Sequence, residues 1–320
     1  MKYCYHPGYH FALPAQAGSA APISKLPLLH ERLLAEGILT PSDLLEPEPI
    51  AIETLELVHT REYLQKLASN ALNVAEQRRL GIPWSEALWL RSRLASGGTL
   101  LAARAALRSG LAGNLAGGSH HAFPDHGEGF CVLNDVAVAI TALRAEGAVE
   151  RAAVIDLDVH QGNGTAAIFE NVDSVYTFSI HGERNYPAAK MRSTVDVALA
   201  DGADDATYLR ALDEHLPAVL AAASADIVFY VAGVDVAAGD RYGKLALTDE
   251  GVRLRERMVI RAVRSRGTPL VIVLGGGYAP TRERTAELHA HVFREAVAFE
   301  RSSDERTAQH SDQSAVGTPR

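Results

Sequence analysis

The sequence contains very little cysteine, since Cys4 and Cys131 are the only two among 320 residues. Two cysteines cannot supply the disulfide framework of a small secreted domain, and their scarcity is typical of proteins from a reducing compartment. The first residues, MKYCYHPGYHF, also lack the apolar segment of a signal peptide. We therefore expect a cytoplasmic protein.

Long apolar runs and basic blocks are missing as well. Because no stretch of about 18 apolar residues occurs, we expect no membrane-spanning helix. The formal net charge is −8, and no block of Lys and Arg is present that could follow the phosphates of DNA or RNA. We expect neither a membrane nor a nucleic acid as partner, and the sequence leaves the oligomeric state open.

Strand and helix patterns alternate along most of the chain. Short apolar runs such as residues 153–157 and 226–232 are separated by segments with the spacing of amphipathic helices. This alternation predicts an α/β protein with a mostly parallel sheet. We expect one domain over residues 1–300, with Ser24 as an early helix cap, and a disordered tail over the polar, aperiodic residues 301–320.

The segment AVIDLDVHQGNG, residues 153–164, is the most informative one. It begins as a buried strand, after which Asp156, Asp158 and His160 follow at every second position. In an extended segment this spacing places the three side chains on one face. Because unpaired buried charge is costly, we expect them to bind a divalent metal ion. The alternative is an exposed loop with solvated carboxylates.

Other reactive side chains follow other predicted strands, namely His120 with His121, Asp235, and Tyr278. Sites of parallel sheets lie beyond the carboxyl ends of the strands, so we expect these side chains to converge on the metal-binding segment. Two carboxylates and one imidazole can hold Zn²⁺ or Fe²⁺ and leave positions open for water and substrate. The ligand set predicted in this way is Asp158, His160 and Asp235.

The adjacent His120 and His121 can divide acid–base work if each ring has an acceptor on its other nitrogen. Asp156 and Asn163 are the candidate acceptors, and only the aspartate brings a charge that raises a histidine pKa. A purely structural role is the alternative for the histidine pair. A helix or turn cap is the alternative for Asp235.

Tyr278 follows three glycines at a predicted strand end, and its hydroxyl can hydrogen-bond an oxyanion opposite a metal ion. Glycine-rich loops after strands also cradle phosphates, but this one has neither the GxGxxG pattern nor a following lysine. Phe130 either lines an apolar channel or packs in the core. For Asp240 we expect a role in stabilising a turn.

Together these residues resemble the histone deacetylase and acetylpolyamine amidohydrolase family, which has the arginase–deacetylase fold. The resemblance covers roughly residues 1–300, and HQGNG with the N-terminal segment is most similar to bacterial relatives of the class IV branch. It implies a three-layer α/β/α fold and a hydrolase that acts on linear amides. The motifs are GSHHAF (118–123), GEGFCVLND (127–135), IDLDVHQGNGT (155–165), FSIH (178–181), GVDVAAGD (233–240) and GGGY (275–278).

The resemblance also implies a role for each residue of the site. It makes His121 the general base and then the general acid, His120 its electrostatic partner, and Tyr278 the hydrogen-bond donor to the substrate carbonyl. Asp156 orients His120, and Asn163 orients His121. Many relatives have Asp in place of Asn163, so the pKa of His121 is expected to be lower here. One Zn²⁺ per chain is implied, with the ligands Asp158, His160 and Asp235.

A substrate channel and a second ion come from the resemblance alone. Phe130 and Tyr186 correspond to the aromatic walls of an acyl-lysine channel, which Gly129, Tyr242 and Gly276 line as well. A structural K⁺ or Na⁺ is implied beside the zinc. Its expected binding residues are Asp156, Asp158, His160, Ser179 and Ile180.

Two departures from the family pattern leave the substrate open. The class I branch has an acidic residue in the loop that corresponds to residues 82–84, and this chain has none there. Polyamine-selective relatives carry Glu seven positions after the last zinc ligand, where this chain has Tyr242. No specific residue therefore indicates whether the substrate is a tightly held peptide or a polyamine.

The sequence favours a zinc-dependent deacylase that removes an acetyl or longer acyl group from a lysine of a protein or from a lysine-like small amine. An acetylpolyamine or another small amide is the alternative substrate. An arginase-like ureohydrolase with two manganese ions is the alternative enzyme, but it needs a second set of acidic ligands. The non-enzyme alternative is a scaffold that binds acyl-lysine without turnover.

Overall fold

The computed structural model describes residues 1–10 and 25–315, with side chains up to residue 302. Ser24 and residues 316–320 of the expected tail lie outside this part. The strands in it are β1 (Lys2–Cys4), β2 (Leu44–Leu45), β3 (Leu111–Asn114), β4 (Ala152–Asp156), β5 (Val175–Gly182), β6 (Val195–Leu199), β7 (Ile227–Val231) and β8 (Leu270–Val273). They form one sheet in the order β2-β1-β3-β8-β7-β4-β5-β6, and every pair is parallel, which confirms the predicted α/β class.

The helices alternate with these strands along the chain. Several begin at the side-chain caps that the sequence offers; the Ser85 hydroxyl, for example, accepts the amide hydrogen of Leu88 at 3.1 Å. The α-helices of the described residues are α1 (Lys25–Ala35), α2 (Ile52–Leu55), α3 (Arg61–Ala68), α4 (Val74–Leu80), α5 (Glu86–Ser109), α6 (Asp135–Ala145), α7 (Asn163–Phe169), α8 (Asp205–Ala223), α9 (Asp249–Arg264) and α10 (Arg282–Ala315).

Helices cover both faces of the sheet. Within β4, Ala153 and Ile155 belong to one apolar core, with side chains of α1, α8, α9 and α10. Ala152 and Val154 belong to a second core on the other face, with side chains of α3, α5 and α6. Helices on both faces of the sheet give the expected three layers. Because the strands are buried on both sides, their sequences are nearly continuous apolar runs.

The structure differs from the sequence-based expectation at its margins. Helix α10 continues past Glu300, where we expected it to end, to Ala315. Strand β2 has only two residues, too few for a recognisable period, and β6 is a half-exposed edge strand; neither was expected. None of the helices described here is both long and apolar enough to cross a bilayer.

Candidate metal and acid–base site

The site lies at the carboxyl ends of four neighbouring strands. Strands β3, β8, β7 and β4 are adjacent in the sheet, although they are far apart in the sequence. Each is followed by one group of the expected residues, so all of them reach the same edge. The residues that follow these strands, in that order, are His120 and His121, Tyr278, Asp235, and Asp158 with His160.

The chain after β4 curls instead of staying extended. Strand β4 ends at Asp156, whose Oδ1 accepts the amide hydrogen of Asp158 at 3.2 Å. Asp158 Oδ1 in turn accepts the amide hydrogen of His160 at 2.9 Å. Such side-chain to backbone bonds compete with a strand, and residues 158–160 bend, so the segment is not extended as expected. His120 lies 2.7 Å from Asp156 Oδ2 and 3.8 Å from Asp158 Oδ1, and His160 lies 3.1 Å from Asp235 Oδ2.

Asp158, His160 and Asp235 form a buried group with their potential ligand atoms within 4.8 Å of one another. Val159 donates its amide hydrogen to Asp235 Oδ1 at 2.9 Å, and the buried Oδ2 of Asp235 lies 3.1 Å from His160 Nδ1, which is also 2.9 Å from Asp158 Oδ1. Burial and the nearby Asp158 carboxylate raise the pKa of Asp235 above its usual range. Two carboxylates crowded around one imidazole fit a divalent cation, and their burial excludes an exposed, solvated loop.

Two glycines allow the carboxylates of this group to come close to the backbone. Gly276 donates its amide hydrogen to Asp158 Oδ2 at 2.6 Å, and a Cβ at Gly276 would collide with Asp235 Oδ2. A Cβ at Gly233 would collide with Asp158 Oδ2. Gly276, expected as a channel residue, therefore packs directly against the metal-binding group.

A fully buried arginine supports the group from α9. The guanidinium of Arg255 donates to the carbonyl oxygens of Leu157 at 2.9 Å and Gly233 at 2.7 Å. Its charge is balanced by Glu256, which also accepts a hydrogen bond from the Tyr230 hydroxyl. Arg255 thus ties together the two loops that carry the ligands. The sequence does not single out Arg255, because α9 contains several arginines with similar neighbours in the sequence.

The two histidines have different partners and opposite pKa shifts. His120 Nδ1 is 2.7 Å from Asp156 Oδ2, and His121 Nδ1 is 2.7 Å from Asn163 Oδ1. Burial lowers the pKa of His120, but the Asp156 and Asp158 carboxylates outweigh burial and raise that pKa to about 9. Burial, helped by the charge of His120, holds the pKa of His121 well below its usual range. These shifts favour the cationic form of His120 and the neutral form of His121.

The orientation of Asn163 determines which nitrogen of His121 carries the proton. Asn163 Nδ2 donates to Glu128 Oε1 at 2.8 Å, so the amide oxygen faces His121. The Nδ1–H of His121 then donates to that oxygen, and its Nε2 keeps a free lone pair. Sequence reasoning did not single out Glu128, although it lies in the GEGFCVLND motif.

A hydrogen bond from its backbone amide to Asp240 fixes the position of Tyr278. Asp240 accepts the amide hydrogen of Tyr278 at 2.6 Å and those of Tyr242 and Gly243 at 2.9 Å, which is the turn-stabilising role expected for it. Burial and the carboxylates of the metal-binding group raise the pKa of the Tyr278 hydroxyl well above its usual range, so it stays a donor. The Gly276 amide is already taken by Asp158, which argues against a phosphate loop.

Two neighbouring cavities, which share five lining residues including His121 and His160, adjoin these groups. The outer cavity, of about 370 Å³, is lined by the aromatic rings of Phe130, Tyr186, Tyr242 and Tyr278 together with Gly129. A smaller inner cavity of about 70 Å³ contains His121, Asp158 and His160, and also reaches residues that we did not expect. These are Lys25, Arg91 and Cys131. Phe130 also packs against the core, and its role in a substrate channel stays a prediction.

The residues expected around a monovalent cation are close neighbours in the sheet. Asp156 of β4 is paired in register with Ser179 of β5, and Ile180 follows it. All three are buried, as are Asp158 and His160. The ion itself stays a prediction.

Comparison with known proteins places the chain in a family. Residues 20–296 match the model of the histone deacetylase domain. The chain belongs to the histone deacetylase family. This confirms the family expected from the motifs, and the family supports a hydrolase that acts on amides, as a deacetylase or amidohydrolase.

Several relatives extend this result. The chain is 43% identical to an uncharacterised protein of Picosynechococcus over 94% of this chain and 97% of that protein. It is 30% identical to histone deacetylase 2 of Arabidopsis thaliana over 79% and 67% of the two chains, and 31% identical to a histone deacetylase-like amidohydrolase of Pseudomonas aeruginosa over 83% and 74%. The crystal structure of the HDA15 HD domain superposes with a TM-score of 0.77 at 23% identity, covering 93% of this chain and 91% of that one, which confirms the fold.

Proposed function

We propose that this protein is a zinc-dependent deacylase that hydrolyses the amide bond of an acylated lysine or lysine-like amine. The observation that carries the proposal is the free Nε2 of His121, a neutral histidine oriented by Asn163, beside the buried group of Asp158, His160 and Asp235. A base next to a metal-binding group is what hydrolysis by activated water requires.

Each side chain then has a defined part in the reaction. A zinc ion bound by Asp158, His160 and Asp235 would polarise the amide carbonyl and make water more acidic. His121 Nε2 accepts the proton of the attacking water and later gives it to the leaving amine. The hydroxyl of Tyr278 donates a hydrogen bond to the developing oxyanion. The cation His120 lies beside His121, with ring centres 4.1 Å apart, and its charge further stabilises the anionic transition state.

We also propose the structural K⁺ or Na⁺ at the adjoining ends of β4 and β5. It would be held by main-chain oxygens and by Ser179 beside Asp156. A monovalent cation there would offset part of the negative charge behind the metal-binding group.

The proposal is tested with coumarin reporters of acyl-lysine whose acyl chains increase in length. We expect turnover with one zinc per chain, and its complete loss with a hydroxamate chelator. The chain length with the highest kcat/KM reports the size of the pocket. Two manganese ions per chain would instead indicate a ureohydrolase. Zinc at one per chain without turnover of any reporter would contradict the lysine deacylase and leave a small amide or a binding role.

A further inference from the structure

The mouth of the outer cavity is lined by four cationic side chains. Arg78 and Arg79 come from the end of α4, Arg184 from the loop after β5, and Lys244 from the loop after β7. All four are exposed. The whole chain has a net charge of −8, so this concentration of positive charge does not reflect a generally basic surface.

In residues 1–10 and 25–302, where side chains are described, none of the four cations forms an ion pair with a carboxylate, although the charge of Arg79 contributes to the lowered pKa of Glu76. The ammonium of Lys244 donates to the carbonyl oxygen of Arg184 at 3.0 Å, which leaves its charge unbalanced. By contrast, Arg253 and Arg257 on α9 both pair with Glu295.

Three nearby carboxylates accept hydrogen bonds from other groups, and none of them lines the outer cavity. Glu76 accepts a backbone amide hydrogen and pairs with Lys66 at 3.0 Å. Glu128 accepts its hydrogen bond from Asn163, and Asp240 accepts three backbone amide hydrogens. Among the described residues that line the outer cavity there is no Asp or Glu. The positive charge at the mouth is therefore available to a ligand.

The position of these cations determines which part of a substrate they meet. The aromatic rings of Tyr186 and Tyr242 line the same cavity as the cations and are each 41% exposed. Their ring centres lie 5.0 Å from that of His121 and 4.8 Å from that of Tyr278, respectively, so the cavity runs from the cations to the acid–base residues. If the acyl group occupies the inner end, the amine and whatever it is attached to must lie at the mouth. The cations would then surround the portion of the substrate that carries the amine, and this step rests on the proposed function.

We propose that the preferred substrate carries negative charge close to its acylated amine. Two kinds of substrate have a carboxylate in this position. One is an acyl-lysine flanked by acidic residues in a peptide, and the other is free acyl-lysine with its own α-carboxylate. Four unpaired cations attract such a group and repel a ligand of their own sign. An acylated polyamine, which keeps other positive amines, is accordingly a poor substrate.

Three peptides that differ only beside the acyl-lysine test the proposal, with two Glu, two Gln or two Lys as flanking residues. Free acyl-lysine and its α-carboxamide form a second pair, which separates a small carboxylate from an acidic peptide. The measurements are kcat/KM and, independently of turnover, binding of dye-labelled peptides by fluorescence anisotropy. Both are made at low salt and near 1 M salt, where the Debye length falls to about 3 Å.

The variants are Arg184→Gln, Lys244→Gln and the double change of Arg78 and Arg79 to Gln. Each removes positive charge from an exposed position, so folding should not be affected. Arg108→Gln is the matched control, because Arg108 is also exposed but lies at the end of α5, just before β3 begins, at the opposite edge of the sheet.

We expect at least about a tenfold preference for the acidic over the neutral peptide at low salt, as electrostatic steering gives. Each cation removed should reduce that ratio by about twofold to fivefold, the range of exposed ion pairs, and Arg108→Gln should not change it. Equal kcat/KM and equal binding for acidic and neutral peptides, or a preference that survives all three variants, would overturn the proposal. If no peptide is hydrolysed, the proposed function fails, while the anisotropy ratios still decide this inference.

Discussion

The inner and outer halves of the site differ in how their polar groups are held. In the inner half His120, His121 and Asp158 are buried and each has a partner at hydrogen-bond distance. In the outer half Tyr186 and Tyr242 are 41% exposed, and the cations around them have no carboxylate partner in the described residues. The inner half follows the strand ends, whereas loops and a helix end supply the outer half.

This difference assigns separate tasks to the two halves. Groups with fixed partners are suited to a reaction that every substrate of the enzyme shares, because they need no rearrangement. Groups without partners are free to recognise what differs among substrates. Changes in the inner half should consequently reduce turnover of all substrates alike, and changes in the outer half should alter the ratio between substrates.

The largest effect is expected from Asp158→Asn. Loss of one carboxylate of the metal-binding group should reduce bound zinc and abolish turnover of every acyl-lysine substrate. Metal content by mass spectrometry and kcat for a short and a long acyl chain are the measurements. Asp213→Asn, at an exposed position of α8, is the control for charge. Full zinc and normal turnover in Asp158→Asn would remove this residue from the ligand set.

A smaller loss is expected from Tyr278→Phe. Removing one oxyanion donor should lower kcat by about 10²-fold, to the same extent for the acidic and the neutral peptide. Tyr242→Phe is the matched control, since its ring lies 4.8 Å from that of Tyr278 in the same cavity. A loss that differs between the acidic and neutral peptides would place Tyr278 with the outer half and contradict this separation of tasks.

The smallest effect is expected from Asn163→Asp, which gives both histidines a carboxylate partner. The charge favours the imidazolium form of His121 and should raise its pKa by about one to three units. Because the base must be neutral, the acid limb of the kcat/KM profile should move to higher pH. Asn171→Asp adds the same charge on the surface and should leave the limb unchanged. An unmoved limb in Asn163→Asp would mean that another group is the base.

Much of the inner half could be predicted from the sequence. Tyr278, Asp235 and the histidine pair each follow a recognisable strand, and parallel strands bring their carboxyl ends to one edge. The path of residues 156–160 could not be predicted, because two aspartate side chains bond to the backbone and curl it. Spacing alone does not separate such a turn from a strand.

Supporting and entrance residues were much harder to find. Arg255 acts through carbonyl oxygens of two distant loops, and its neighbours in α9 look the same in sequence. The cations at the mouth come from three separate segments that only the folded chain brings together, such as Arg79 and Lys244. Without the order of the strands in the sheet, the sequence does not show that Arg255 contacts both loops or that the cations lie together.

The position of β8 has a consequence for the biosynthesis of this protein. It is the last strand along the chain, yet it lies between β3 and β7 in the middle of the sheet. Until residues 270–273 leave the ribosome, β3 and β7 lack the strand that joins them, so any sheet that the earlier strands form has an open edge at which it can pair with other chains. The loop after β8 carries Tyr278, so the strand that completes the sheet and the tyrosine of the site are synthesised one directly after the other.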